Sequence, residues 1–223
     1  MPLANIVVET FLKGGPIMWP ILACLVVALA TVTERVLYWR KVRRLRAEPA
    51  FAEALGDVRL GRFGPVWERT RDATSPFLVA LRAGLANGRA EPVTAMQLSA
   101  EETLEEAGAR QWLLSTIVTL APLLGLLGTV IGIMGSFQFI GSEQLAVAKV
   151  SGGVGEALIA TAAGLGIAIV CLIPHNYFHR RVQALRHDLE QAVNQAEVAL
   201  KAAAAAGQPV GEFQPETAAG RAR

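Results

Sequence analysis

Thr129 and Ser136 stand inside one uncharged stretch of this 223-residue sequence, and Glu156 and Thr161 inside or at the edge of another. A carboxylate at the centre of a bilayer costs about 2.5–3.5 kcal/mol on insertion scales, so it seldom persists facing lipid. It belongs instead in a bundle interior or beside a water-filled path, where burial also favours its protonated form. A helical threonine can satisfy its hydroxyl on its own backbone, so either threonine alone means little. Two of them together with an intramembrane acid make a polar lining along which a proton or hydrated ion can move. A plainer reading of Glu156 stays open. Gly152, Gly153 and Gly155 precede it, which also suits a charge just outside the hydrocarbon.

Holding these groups in place requires helices across a membrane, and the composition supplies them. The chain is 52% hydrophobic and 18% charged, more apolar and less charged than an ordinary soluble domain. Twenty uncharged residues lie between Lys13 and Glu34, close to the roughly 20 that a helix needs to cross about 30 Å of hydrocarbon. Pro16 and Pro20 fall in its first turns, where a missing N–H costs least, and Trp19, Tyr38 and Trp39 mark its ends. The second uncharged stretch, 111–142, is longer than one crossing needs, so its helix extends beyond the bilayer or tilts, and Pro122 interrupts it. The third runs from Ala157 to Phe178, with Glu156 at its leading edge.

Basic residues give the orientation. Lys13 is the sole base before the first span, whereas Arg35, Arg40, Lys41, Arg43, Arg44 and Arg46 follow it, and Arg180, Arg181 and Arg186 follow the third. Basic flanks stay cytoplasmic, so the N-terminus is expected outside and the C-terminus inside. The expected organisation is an all-α membrane protein with three transmembrane helices, the second and third long and extending into the cytoplasm. Residues 1–39 hold the outer N-terminal segment and the first span, and 40–110 form a cytoplasmic helical region. Residues 111–142 are the second span, 143–152 a short periplasmic loop and 153–178 the third span. A cytoplasmic helix at 179–206 and a disordered tail at 207–223 complete the chain. Within 40–110, Phe51, Leu55, Val58 and Phe63 form one apolar set and Phe77, Leu78, Leu81 and Leu85 another, punctuated by Ser75-Pro76 and Asn87-Gly88. The run from Glu91 to Arg110 reads as a helix able to continue into the second span.

Small residues decide how the second and third spans can pack. Gly125, Gly128, Gly132 and Gly135 recur at spacings of three, four and three and share one helical stripe. Gly128 and Gly132 form a small-xxx-small pair that lets backbones approach closely. Ala160, Gly164 and Ala168 repeat every four residues on the third span. These faces pack on each other or on neighbouring copies, and generic membrane-helix packing explains the glycines equally well.

The paired segments Ala121-Pro122-Leu-Leu-Gly125-Leu-Leu-Gly128-Thr129-Val-Ile-Gly132-Ile-Met-Gly-Ser136-Phe137 and Gly155-Glu156-Ala-Leu-Ile-Ala160-Thr161-Ala-Ala-Gly164-Leu resemble the ExbB/TolQ/MotA proton-channel family. Gly14-Gly15, Met18-Trp19-Pro20 and Glu34-Arg35 are similar to its ExbB/TolQ branch, and the resemblance covers roughly residues 10–180. It implies a homopentamer in a bacterial inner membrane, with the second and third spans lining a central pore. In that pore sits a dimer of a single-span ExbD/TolR-like partner, whose membrane aspartate is the main protonation site. Thr129, Glu156 and Thr161 match the pore threonines and pore glutamate of the family. Proton entry would drive rotation that is passed to a TonB- or TolA-like periplasmic protein, with the proton as coupling ion and no other cofactor. The fourth span and larger cytoplasmic domain of flagellar motor proteins have no counterpart here. His175, at the exit of the third span, departs from the family pattern.

Other signals carry less. His175 and His179 have a ligand spacing, but beyond His187 and Asp188 no third ligand is near, and polar anchoring at the interface is the preferred reading, so no metal is expected. Cys24 and Cys171 lie in apolar runs and read as packing residues. The Arg40–Arg46 run beside a span is an orientation signal with attraction for membrane lipids, not a nucleic-acid site. Glu101, Glu102, Glu105 and Glu106 read as a solvated face or a surface for a neighbour's arginines. No catalytic constellation is present, so an enzyme is not expected. The remaining alternatives are an oligomeric membrane scaffold and a transporter that works alone.

Overall fold

A computed structural model describes residues 2–44, 48–88, 90–137 and 146–208. Among these are eight helices: α1 (Pro2–Lys13), α2 (Met18–Arg44), α3 (Glu48–Arg59), α4 (Phe63–Arg69), α5 (Pro76–Ala86), α6 (Pro92–Gly108), α7 (Gln111–Phe137) and α8 (Ala146–Ala205). The described residues contain no strand. Windows long and apolar enough to cross a membrane lie within Met18–Val42, Pro92–Phe137 and Val150–Ala205. The chain is therefore an all-helical membrane protein with three long apolar helices. The expected end of the second span and start of the following loop fall on residues 138–145, outside the described residues, and α8 is already helical from Ala146. Of the tail expected to be disordered, 209–223 also lies outside the described residues.

The chain divides into two compact units, one within Met1–Arg35 and Arg110–His179, the other within Val36–Ala109 and Arg180–Arg223. In the first, α1 adds a short helix to the stretch read only as an outer N-terminal segment. Its Phe11 ring meets Trp19 edge-on at 5.2 Å, and Val8 and Leu12, one turn apart, are both exposed. Lys13 pairs with Glu9 at 2.7 Å and draws that exposed carboxyl below its ordinary pKa. The turn from α1 into α2 passes through Gly15 at φ +73°, a left-handed conformation that side chains with a Cβ resist.

On α2 two threonines satisfy their hydroxyls on their own helix. Thr31 and Thr33 donate to the carbonyls of Val27 and Leu29 at 2.8 and 2.7 Å. Glu34 receives the buried Arg35 at 2.8 Å and Arg110 at 2.5 Å. Arg110 occupies the two-residue break between α6 and α7 at φ +61°, so the run from Glu91 is not one uninterrupted helix. A non-glycine residue in this conformation costs roughly 1–2 kcal/mol, and the ion pair to Glu34 helps to hold it.

The second unit packs α3 to α6 against the residues of α8 after Arg180. All eight apolar positions singled out between Phe51 and Leu85 are buried here. Leu185, Leu189, Ala192, Val193, Ala196, Ala199, Leu200 and Ala203 line the facing side of α8, with the three-and-four spacing of an amphipathic helix. Ser75 and Pro76 start α5 at its N-cap and first-turn positions, as Pro's fixed φ favours. The Arg82 guanidinium lies 3.7 Å from the centre of the Trp67 ring and donates to the Trp67 carbonyl at 3.1 Å. Of the acidic cluster, Glu101 accepts two bonds from Arg186 of the same chain, at 3.1 and 3.4 Å. Both groups are well exposed, so the pair is worth at most about 1 kcal/mol.

Candidate functional site

The site is built on the seam between α7 and α8, where backbone approaches backbone. A Cβ placed on Gly125 would lie 3.0 Å from the Ala160 carbonyl oxygen and 3.0 Å from the Thr161 Cα. One on Gly128 would meet the Ala160 methyl and Ile17, and one on Gly132 the Gly153 carbonyl oxygen and Ala157. Gly164 faces the Ala121 carbonyl oxygen so closely that any Cβ there would collide with it. Gly125, Gly128, Gly132, Ala160 and Gly164 thus lie on one intrachain contact. Gly135 stands apart from it, with open space where a Cβ would point.

Pro122 lies inside α7 and lacks an N–H, which leaves a carbonyl one turn back without its helical partner. Such freed groups in membrane helices must be met by neighbours or side chains. Further along α7, at a different carbonyl, Thr161 reaches across the seam, its Oγ1 donating to that of Gly125 at 2.9 Å. Thr129, one turn beyond Gly125, is partly exposed at the seam's edge and donates to the Leu126 carbonyl at 2.6 Å. The buried Ser136 donates to the Gly132 carbonyl at 2.9 Å, and Gly153 abuts its hydroxyl. Each hydroxyl proton is committed to a carbonyl, while the oxygen lone pairs remain able to accept.

Glu156 lies elsewhere on α8. Five residues separate it from Thr161, a rotation of roughly 140° at 3.6 residues per turn. Its half-buried carboxylate sits against Gly15 of the α1–α2 turn, while Gly14 packs on Ile159 and Met18. Met18, Ile21 and Ala160 form the small buried core on this flank, joined by Phe11, Ile17, Leu124, Ile159, Ala163 and Ile167. The structure therefore brings Thr161 to Gly125, and Glu156 to the turn before α2.

Gly153, Ala157, Gly15 and Ile17 belong to the same contacts, a packing role the sequence reading did not give them. Gly153 and Ala157 extend the small-residue stripe of α8 by two turns, and stepping backwards from Ala160 and Gly164 at helical spacing finds both. Gly15 and Ile17 carry no such signal, because their contacts with Glu156 and Gly128 are tertiary. His175 and His179 stack with ring centroids 6.3 Å apart, and the buried Nδ1 of His175 has no hydrogen-bond partner. Among the described residues no group of His, Cys, Asp and Glu is arranged to hold a metal ion.

Three long apolar helices, two of them locked through glycines with hydroxyls along the contact, define a polytopic membrane protein. Comparison with known proteins makes this particular. The model of the MotA/TolQ/ExbB proton channel family matches residues 74–191. The biopolymer transport protein ExbB-like 1 of Synechocystis sp. is 35% identical over 176 residues, covering 74% of this chain and 67% of the relative. ExbB-like 3 of the same organism is 32% identical over 173 residues, covering 75% and 82%. The Tol-Pal system protein TolQ of Haemophilus influenzae is 39% identical over 95 residues, 42% of each chain. The chain belongs to the MotA/TolQ/ExbB proton channel family, a family of transport proteins and not of enzymes.

Proposed function

We propose that this chain is the pore-lining subunit of a proton-driven motor in a bacterial inner membrane. It works as a homopentamer whose second and third spans surround a dimer of a single-span ExbD/TolR-like partner. Proton flow through that assembly does mechanical work on a TonB- or TolA-like protein in the periplasm. The N-terminus lies outside and the C-terminus inside, with the long helices reaching into the cytoplasm, as the basic flanks of the first and third spans favour.

The observation that carries this reading is the glycine seam with Thr161 bound across it to Gly125, in a chain that belongs to a proton channel family. With their protons held by carbonyls, Thr161 and Thr129 offer oxygen acceptors to a visiting carboxylic acid and so favour its protonated, neutral form. Releasing those carbonyls lets the hydroxyls turn and donate to the ionised form instead. A lining that serves both protonation states suits a carboxyl group that loads and unloads a proton as it passes. Glu156 supplies a fixed acid near the outer end of the same helix pair, and Thr129 and Thr161 form the lining itself.

The test is proton flux through the complex, isolated from its own membranes and returned to liposomes with a pH-sensitive dye inside. Thr161→Val is expected to lose most of the flux while the complex still assembles at normal size. Wild-type flux in that variant would end the pore-lining assignment. A scaffold, by contrast, would show no flux even as the wild-type complex.

A further inference from the structure

The α1–α2 turn touches a group the proposed mechanism depends on. Gly14 is buried against Met18 and Ile159, so the turn is seated on α8, not hanging free. Beside it Gly15 adopts φ +73°, and its α-carbon faces the Glu156 carboxylate so closely that a Cβ would occupy the place of Oε1. Two independent demands therefore meet at one residue: a backbone angle that favours glycine, and a surface with no side chain against an acid. Ile17, two residues on, packs on Gly128 of α7, so the same turn bears on both helices of the seam.

We infer that Gly15 is a positioning residue, which sets where the Glu156 carboxylate sits and so its access to the proton path. This rests on the reading of Glu156 as part of that path. The physical argument separates position from stability. The atom that a new Cβ would strike is the far end of a flexible side chain, and a glutamate head can swing aside at little structural cost. The fold survives, but the carboxylate moves by about the width of a methyl group, and proton transfer between donors and acceptors is sensitive to displacements of this size.

Gly15→Ala and Gly15→Asn distinguish the two demands. Asparagine tolerates the left-handed backbone far better than alanine, but both bring a Cβ to the carboxylate. If position matters, both variants lose flux by about tenfold or more, since a 1 Å misplacement of reacting groups can cost on the order of a hundredfold. Both also change the rate at which a hydrophobic carbodiimide labels Glu156, read by mass spectrometry on the assembled complex. Adding Gly15→Ala to Glu156→Gln then costs no further flux, because no acid is left there for it to misplace. Wild-type flux and labelling in Gly15→Asn, with loss only in Gly15→Ala, would reduce Gly15 to a turn residue and overturn the inference. Equal further loss on top of Glu156→Gln would do the same. Full flux in Glu156→Gln alone would remove the acid from the path, and the inference with it, while leaving Thr161 to be judged on its own variant.

Discussion

At the scale of single residues, the contact that ties α7 to α8 chemically is the Thr161 hydroxyl on the Gly125 carbonyl. Hydrogen bonds between membrane helices average about 0.6 kcal/mol and reach about 1.7 kcal/mol. Thr161→Val keeps the shape and removes the donor, so it is expected to lower stability by roughly 1 kcal/mol in thermal or denaturant unfolding of the detergent-solubilised complex. Thr161→Ser keeps the donor and is expected to unfold close to wild type and to retain flux. That pair separates the hydroxyl from the β-branch. A serine variant as damaged as the valine variant would mean that the site requires the methyl group as well as the hydroxyl. Thr129 gives a contrasting case, since its hydroxyl is spent on its own helix at Leu126. Thr129→Val is expected to leave unfolding unchanged, so any loss of flux in it reports on the lining and not on the fold.

At the scale of elements, the α7–α8 seam works because carbonyl oxygens stand where side chains would otherwise be. Gly164 faces the Ala121 carbonyl and Gly125 faces that of Ala160, and a backbone cannot swing aside as a glutamate head can. Gly164→Val is therefore expected to push the helices apart and abolish both assembly and flux. Gly135→Ala meets nothing within its own chain and is expected to leave the α7–α8 seam intact, with up to about 0.5–1 kcal/mol gained from better helix propensity. Normal assembly in Gly164→Val, read by size-exclusion chromatography, would contradict the seam. Much of this arrangement is legible in the sequence, for identifiable reasons. The spans announce themselves because crossing a bilayer demands a long uncharged run, and small residues at helical spacing mark the close faces. The amphipathic positions from Phe51 to Leu85 predicted burial because each short helix has one apolar side. What the sequence does not carry is the pairing of distant segments. The Gly15–Glu156 contact joins a turn to a helix about 140 residues later, and no periodicity encodes it. Helix α1 was missed because twelve residues leave too few turns for a pattern to stand out beside the span that follows. The rotation of Glu156 away from Thr161 is legible in their five-residue spacing.

At the scale of the whole molecule, most of the span surface is left for something outside the chain to cover. Only 22–28% of the residues in the three apolar windows are buried within it, and Leu126 and Met134 on α7 and Leu158 and Ile173 on α8 are largely exposed. Exposure of leucines alone cannot separate lipid from neighbours, because acyl chains are as apolar as leucine side chains. Glycines are more informative, since a glycine exposed to lipid gains nothing from its lack of a side chain. Gly152, Gly155 and Gly166 of α8 each have open space where a Cβ would point. Gly166 also lines an apolar groove of about 440 Å³ with Thr10, Phe11, Met18, Ile21 and neighbouring residues. If copies of this chain assemble around a pore, a neighbouring helix can use such a flank. Native mass spectrometry in mild detergent is then expected to give a multiple of the 23.7 kDa protomer, five on the proposed reading. Gly166→Trp fills the groove from within and is expected to break that assembly while the helical circular dichroism signal stays at its wild-type level. A wild-type chain found only as a single protomer would sink the pentamer, and an unchanged oligomer in Gly166→Trp would assign this flank to lipid and move the subunit contact to another face of the bundle.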